Sequence, residues 1–258
     1  MVIGDDVDGL LEPYNENIET EERIDRTADE VHADFLNCKE EYLLRKKSGK
    51  ELSDFQKYTL KLKKENPEWV EQWCGQEVDE DGNTLTNYNE DSKWDWYVIG
   101  GRWMGSLILK PGEEGELGER MFANKDMEIP DNRADCARKG QIDWEAMNQQ
   151  AREQAGRDWD ELFDPNPDHC EYRPEYVEEQ RKKHLEMYKT KEEYVKRRGI
   201  WTPYAVLSDC GWHATGDMGY WGMSSDETED RDRFDQEFIK LLAEYDDDEM
   251  ITMVDCHI

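Results

Sequence analysis

A chain with 64 acidic side chains against 33 basic ones carries a formal net charge of −31 at pH 7, and self-repulsion on that scale works against any compact state. With a mean hydropathy of −1.08, charge alone describes a chain that stays unfolded. The 10 Trp, 12 Tyr and 6 Phe reverse that expectation, because each buried aromatic removes about 150–250 Å² from water. Its 258 residues suffice for one domain with helical segments packed on or inserted into it. The acid excess also argues against direct binding of DNA, RNA or anionic lipid, since neutralising phosphates requires bases in excess. No apolar run of about 18 residues predicts a membrane-spanning helix. The opening Met1-Val2-Ile3-Gly4-Asp5-Asp6 lacks the basic and apolar regions of a signal peptide. Cys38, Cys74, Cys136, Cys170, Cys210 and Cys256 are scattered with no C-x-x-C pair and read as reduced thiols in a cytosolic protein.

The charge is uneven. Residues 1–30 carry 11 acids and 2 bases, and 226–258 carry 13 and 3. In contrast, 39–64 has 9 bases to 4 acids, and 178–198 has 8 to 5. Val31, Phe35, Cys38 and Tyr42 recur at the helical period, and Ser53 is a cap candidate for a helix ending before Pro67. Trp96 to Ile99, Gly100-Gly101 and Trp103 to Leu109 read as β structure around a tight turn or bulge. Pro111 to Gly118 reads as a flexible acidic loop. A helix is expected around Trp144 to Gln154, and one long helix from Pro174 to Gly199. Tyr204 to Ser208 and Trp212 to Gly216 form a hairpin pattern, and Phe234, Phe238, Leu241 and Tyr245 an amphipathic helix. Met250 to Ile258 reads as a terminal strand, and Val2-Ile3 as an edge strand. The expected fold is α+β: a small, mainly antiparallel sheet from the 94–110 and 203–258 segments, with helical cover from 27–75 and 140–198.

The stretch Lys93-Trp94-Asp95-Trp96-Tyr97-Val98-Ile99-Gly100-Gly101-Arg102-Trp103-Met104-Gly105 resembles an uncharacterised bacteriophage and prophage family with a "SKWDWY-IGGRW-G" block. Leu11 to Asn17, Trp212-His213-Ala214, Gly219 to Met223 and the ending Val254-Asp255-Cys256-His257-Ile258 agree with it, spanning nearly the whole chain. The resemblance implies a phage-encoded accessory protein working in the cytoplasm of a bacterial host. It carries over no reaction.

Four constellations carry chemistry. Arg102 beside Trp94, Trp96 and Trp103 offers five donors in a fixed plane for a nucleobase, phosphate or carboxylate; the structural alternative is an aromatic core with Arg102 paired to a buried acid. Neither phosphate-loop glycine pattern is present. In an extended strand, Ile251, Met253, Asp255 and His257 share one face, and His213 beside them would complete an acid/base set; the alternative is that Asp255 and His257 close the sheet end. Cys210-x-x-His213 is half a zinc site that His169-Cys170 or Cys256-His257 could complete, but adjacent ligands on a strand face opposite ways and no second C-x-x-C or H-x-x-x-H exists, so no metal is expected. The acidic runs, Asp226, Glu227, Glu229 and Asp230 and then Asp246, Asp247, Asp248 and Glu249, lack calcium-loop spacing and read as solvated faces or as a surface for a basic partner.

Three functions compete. The first is an acidic accessory protein that binds and inhibits a basic, nucleic-acid-binding host protein such as a defence factor. The second is a protein that binds or modifies a nucleotide-like small ligand, using Trp94, Trp96, Arg102, Trp103, His213, Trp221, Asp255 and His257. The third is an accessory protein with no dedicated site, whose charge serves solubility. No catalytic residue and no cofactor is expected.

Overall fold

The computed structural model describes residues 1–30, 79–121, 126–165, 174–216 and 228–257. They belong to two compact units, one of Met1–Asn15 with Ser92–Ile258 and one of Glu16–Asp91. The chain begins with β1 (Val2–Ile3), α1 (Val7–Leu11), β2 (Arg23–Arg26), β3 (Thr84–Thr86), β4 (Trp96–Gly101), β5 (Leu107–Ile108), β6 (Glu119–Arg120), β7 (Arg133–Ala134) and β8 (Cys136–Arg138). It continues with α2 (Trp144–Leu162), α3 (Pro174–Tyr188), α4 (Lys191–Arg198), β9 (Ala205–Ser208), β10 (Gly211–Ala214), α5 (Thr228–Glu244), β11 (Met250–Thr252) and β12 (Val254–His257). This is the expected α+β class. The helices expected over 27–75 fall almost wholly outside the described residues.

In the larger unit, five strands run in the order β10-β9-β1-β11-β8. All pairings are antiparallel except β1 with β9. Val2-Ile3 is therefore interior, not an edge: these two residues are flanked on both sides and almost fully buried. Side-chain alternation then divides the core. Ile3, Val206 and Ile251 join Met147 of α2 and Phe234 and Phe238 of α5 on one face. Val2 and Leu207 join Leu11, Trp94 and Val254 on the other. Helix α5 buries the stripe its sequence spacing predicts. Asp143 caps α2 by accepting from the Ala146 amide at 2.9 Å, and the helix runs beyond the expected Gln154 because Ala155 and Trp159 extend its buried face.

Three further expectations are corrected. The helix drawn from Pro174 to Gly199 is two helices. Lys189 takes a left-handed φ of 66°, and the Thr190 hydroxyl accepts from the Glu193 amide at 3.2 Å, starting α4 afresh. The terminal strand divides at Met253, so β11 lies in the five-stranded sheet and β12 pairs with β4 in a second sheet, β12-β4-β6. The segment 111–118 is tied down: Glu116 exchanges backbone hydrogen bonds with Cys136 at 2.8 and 3.0 Å, and β6 follows, parallel to β4.

In the smaller unit, β2 pairs antiparallel with β3. Arg23 meets Glu90 at 2.8 Å, and Asp79 accepts from the Asn83 amide and side chain at 2.9 and 2.7 Å. The first contact lies at the Arg23–Thr86 end of the β2–β3 pair and the second at the Arg26–Thr84 end.

Candidate functional site

Strand β4 brings its aromatic run against β12 in register, with Trp96 opposite His257, Val98 opposite Asp255 and Ile99 opposite Val254. Paired residues in an antiparallel ladder share a face, so Trp96 and His257 meet directly. Their rings stack with centroids 3.7 Å apart and planes inclined by 8°. At the end of β4 the chain passes through Gly100 and Gly101, both at positive φ. A Cβ on Gly100 would lie 2.5 Å from Asp135 Oδ2, and one on Gly101 would lie 2.5 Å from Asp255 Cβ. The glycine pair therefore does more than turn the chain: it lets two buried carboxylates reach the backbone, which no larger residue permits.

Arg102 follows immediately. Its amide donates to Asp255 Oδ2 at 2.8 Å, its Nε lies 2.9 Å from each carboxylate oxygen, and its Nη2 donates to Oδ1 at 2.6 Å. Asp255 is fully buried, whereas the Arg102 side chain is 48% exposed. Burial pushes the Asp255 carboxyl up, yet the Arg102 hydrogen bonds and charge, with His257 nearby, together outweigh burial and hold it below the usual carboxylate range. The Asp255 side-chain hydrogen bond is the main cause raising the Arg102 guanidinium. His257 Nε2 is buried 3.5 Å from Asp255 Oδ2 without a hydrogen bond. Both Asp255 oxygens serve Arg102, so this carboxylate orients a guanidinium and is badly placed to take a proton from elsewhere.

The outer side is aromatic. Trp103 is 53% exposed, with the Arg102 Cζ 5.9 Å from its ring centroid. Trp96 is also exposed. Together they form a shelf of Trp96, His257, Arg102 and Trp103 above buried Asp255.

The structure gathers only part of the expected set. Trp94 is buried on the other side, where its indole donates to the Leu11 carbonyl at 3.0 Å and meets Tyr97 edge-on at 5.1 Å. It is core, not shelf. His213 lies in β10 opposite Val206, its Nε2 buried without a hydrogen bond, and among the described residues no hydrogen bond, ion pair or ring contact joins it to Arg102, Asp255 or His257. Trp221, Asp226 and Glu227 lie outside the described residues, as does the side chain of Glu229. Asp230 pairs with Arg233 at 2.9 Å. Asp246, Asp247 and Asp248 are exposed and Glu249 partly so; Asp247 is 3.7 Å from Lys139. Cys210 is exposed. Among the described residues, no three His, Cys, Asp or Glu side chains gather as a metal-binding group, and no helix is long and apolar enough to cross a membrane.

Asp135 escaped the sequence reading. It is fully buried and accepts from the Gly105 and Gly118 amides at 2.6 and 2.9 Å. Burial raises its carboxyl against the pull of those amides. Its neighbours Ala134 and Cys136 give no signal of a buried acid. The paired glycines that accommodate it do.

No family model matches the chain, and no curated protein or solved structure matches it.

Proposed function

We propose that this protein is an acidic accessory protein, phage-encoded as the sequence resemblance implies, that docks on a basic, nucleic-acid-binding host protein and competes with its nucleic acid. One observation carries this reading: folding consumes almost none of the acid excess. Among the described residues only Asp135, Asp235 and Asp255 are buried acids. Asp255 is matched by Arg102, Asp235 by Arg231 at 3.1 Å, and Asp135 by backbone amides. Every other described carboxylate keeps solvent access. A net charge of −31 opposes compaction, so it asks for a compensating use. Complementarity to a basic groove supplies one, acting chiefly on the rate and selectivity of encounter.

The test is capture of host proteins at about 50 mM and about 500 mM salt, beside an unrelated protein of matched charge. Each specific partner is then used in a nucleic-acid competition assay. The expected result is a basic protein held only at low salt and displaced from its DNA or RNA. Retention no better than the charge-matched control, or binding insensitive to salt, overturns the proposal.

A second reading rests on the Arg102 shelf. A half-exposed guanidinium, oriented by a buried carboxylate and flanked by Trp103 and the Trp96–His257 stack, suits the charged edge and flat face of a nucleotide-like ligand. Nucleotide binding retained at wild-type affinity in both Arg102→Lys and Trp103→Ala removes it.

A further inference from the structure

A cleft of ≈ 520 Å³ opens between α2, α4, the 200–202 segment and α5, within the range of about 300–1,000 Å³ usual for small-ligand sites. No sequence motif announces it. Its floor is low because α2 presents Ala151 and Ala155 there, four residues apart and so on one face. Tyr194, Ile200 and Trp201 supply apolar walls. Trp201 is anchored by its amide, which donates to Asn148 Oδ1 at 2.8 Å, and by an edge contact with Phe238 at 6.2 Å.

The charged groups are two arginines and two acids, Arg198 and Arg231 with Asp158 and Asp235, beside the polar Gln154 and Thr202. The acids are differently placed. Asp235 is buried and occupied, 3.1 Å from Arg231 Nε and accepting from the Thr202 hydroxyl at 2.8 Å. Asp158 is exposed at the rim. The arginines are incompletely used. Arg231 spends Nη2 on the carbonyl and hydroxyl of Thr202, and its Nη1 makes no hydrogen bond among the described residues. Arg198 donates through Nε to the Tyr188 hydroxyl at 2.9 Å. Its Nη1 is buried without a hydrogen-bond partner. It is ion-paired at 3.5 Å with Asp232, which also serves Arg197, whereas Arg198 Nη2 makes no hydrogen bond among the described residues.

Arg198 Nη2 and Arg231 Nη1 are therefore guanidinium donors that keep solvent access and have no protein acceptor among the described residues. An acceptor in the cleft would pair with these donors, and the planar guanidinium fork favours carboxylate or phosphate oxygens. We propose that this cleft binds a small molecule with a carboxylate or phosphate on a flat apolar body, the anion meeting Arg198 and Arg231 and the body lying between Tyr194 and Trp201 over Ala151.

Calorimetric titration of the full chain with benzoate, phenyl phosphate and inorganic phosphate tests this, using wild type, Arg198→Met and Ala151→Phe. The expected result is saturable binding of at least one aromatic anion. Arg198→Met should weaken it about tenfold or more by removing charge-assisted hydrogen bonds, and Ala151→Phe should abolish it by filling the floor. The preference between benzoate and phenyl phosphate identifies the anion. Because Arg198 also holds Tyr188, circular dichroism accompanies each variant; if Arg198→Met fails to fold, Ala151→Phe decides. No saturable binding below about 10 mM, equal affinity in a folded variant and wild type, or inorganic phosphate binding as tightly as phenyl phosphate each overturns the proposal.

Discussion

Replacing Arg102 with Met strips the cation from a carboxylate that has no exposure of its own. Removing one partner of a fully buried ion pair costs about 3–5 kcal/mol. Two features reduce that figure. The Arg102 side chain is 48% exposed, so solvent already screens one side of the pair. The residue-102 amide, which donates to Oδ2 at 2.8 Å, survives the substitution. The expected loss at pH 7 is therefore about 2–3 kcal/mol, read from urea denaturation. The pH dependence carries the sharper test. In wild type the folded-state Asp255 carboxyl lies below its unfolded value of about 3.9, so its contribution is complete above that value and lost as pH falls through the folded one. In Arg102→Met burial dominates and the folded carboxyl rises above the unfolded value. The variant is then penalised most at neutral pH and relieved by protonation as pH falls. The difference between the two proteins should shrink steadily from pH 7 toward pH 4, and Arg102→Met/Asp255→Asn, with no buried charge, should recover part of the neutral-pH loss. A loss below about 0.5 kcal/mol, or one independent of pH, refutes the account of Asp255 as a buried ion held by Arg102.

Gly101→Ala places a methyl 2.5 Å from Asp255 Cβ and 2.7 Å from Val98 Cγ2 at positive φ, and should cost about 2–4 kcal/mol. Gly112→Ala, with nothing within 4 Å, should cost only about 1–2 kcal/mol for its backbone, and equal melting points for the two refute the crowding argument. Burial holds the folded Asp135 carboxyl above its usual range, so its ionised form weighs against the fold. As pH falls from neutral, wild type should therefore gain stability relative to Asp135→Asn, measured by denaturation at several pH values; a constant difference contradicts the sign. Burial also pushes the Cys256 thiol up to about 11 and raises Cys136, whereas Cys210 is exposed. Mass-spectrometric mapping after brief alkylation near neutral pH should find Cys210 modified well ahead of the other two, and comparable labelling of Cys256 counts against the packing of β12.

What local chemistry controls was legible in the chain. The α5 stripe, the Ala205–Ser208 and Gly211–Ala214 hairpin and the helix after Asp143 follow from side-chain period and capping, which need no distant partner. Half of the structural alternative for Arg102 holds: it pairs with the buried Asp255, whereas of its aromatic neighbours only Trp94 is core and Trp96 and Trp103 are exposed. Three features needed tertiary structure. Met253 divides the last strand because its two halves pair with different sheets, and strand pairing is a choice among remote segments. Asp135 and Asp255 become buried acids only when Gly100 and Gly101 let their carboxylates approach. The cleft beside Arg198 exists because small residues on α2 face side chains from α4 and α5 that lie tens of positions away in sequence. Period and capping are read along one segment, whereas burial, pairing and unfilled space are properties of segments brought together.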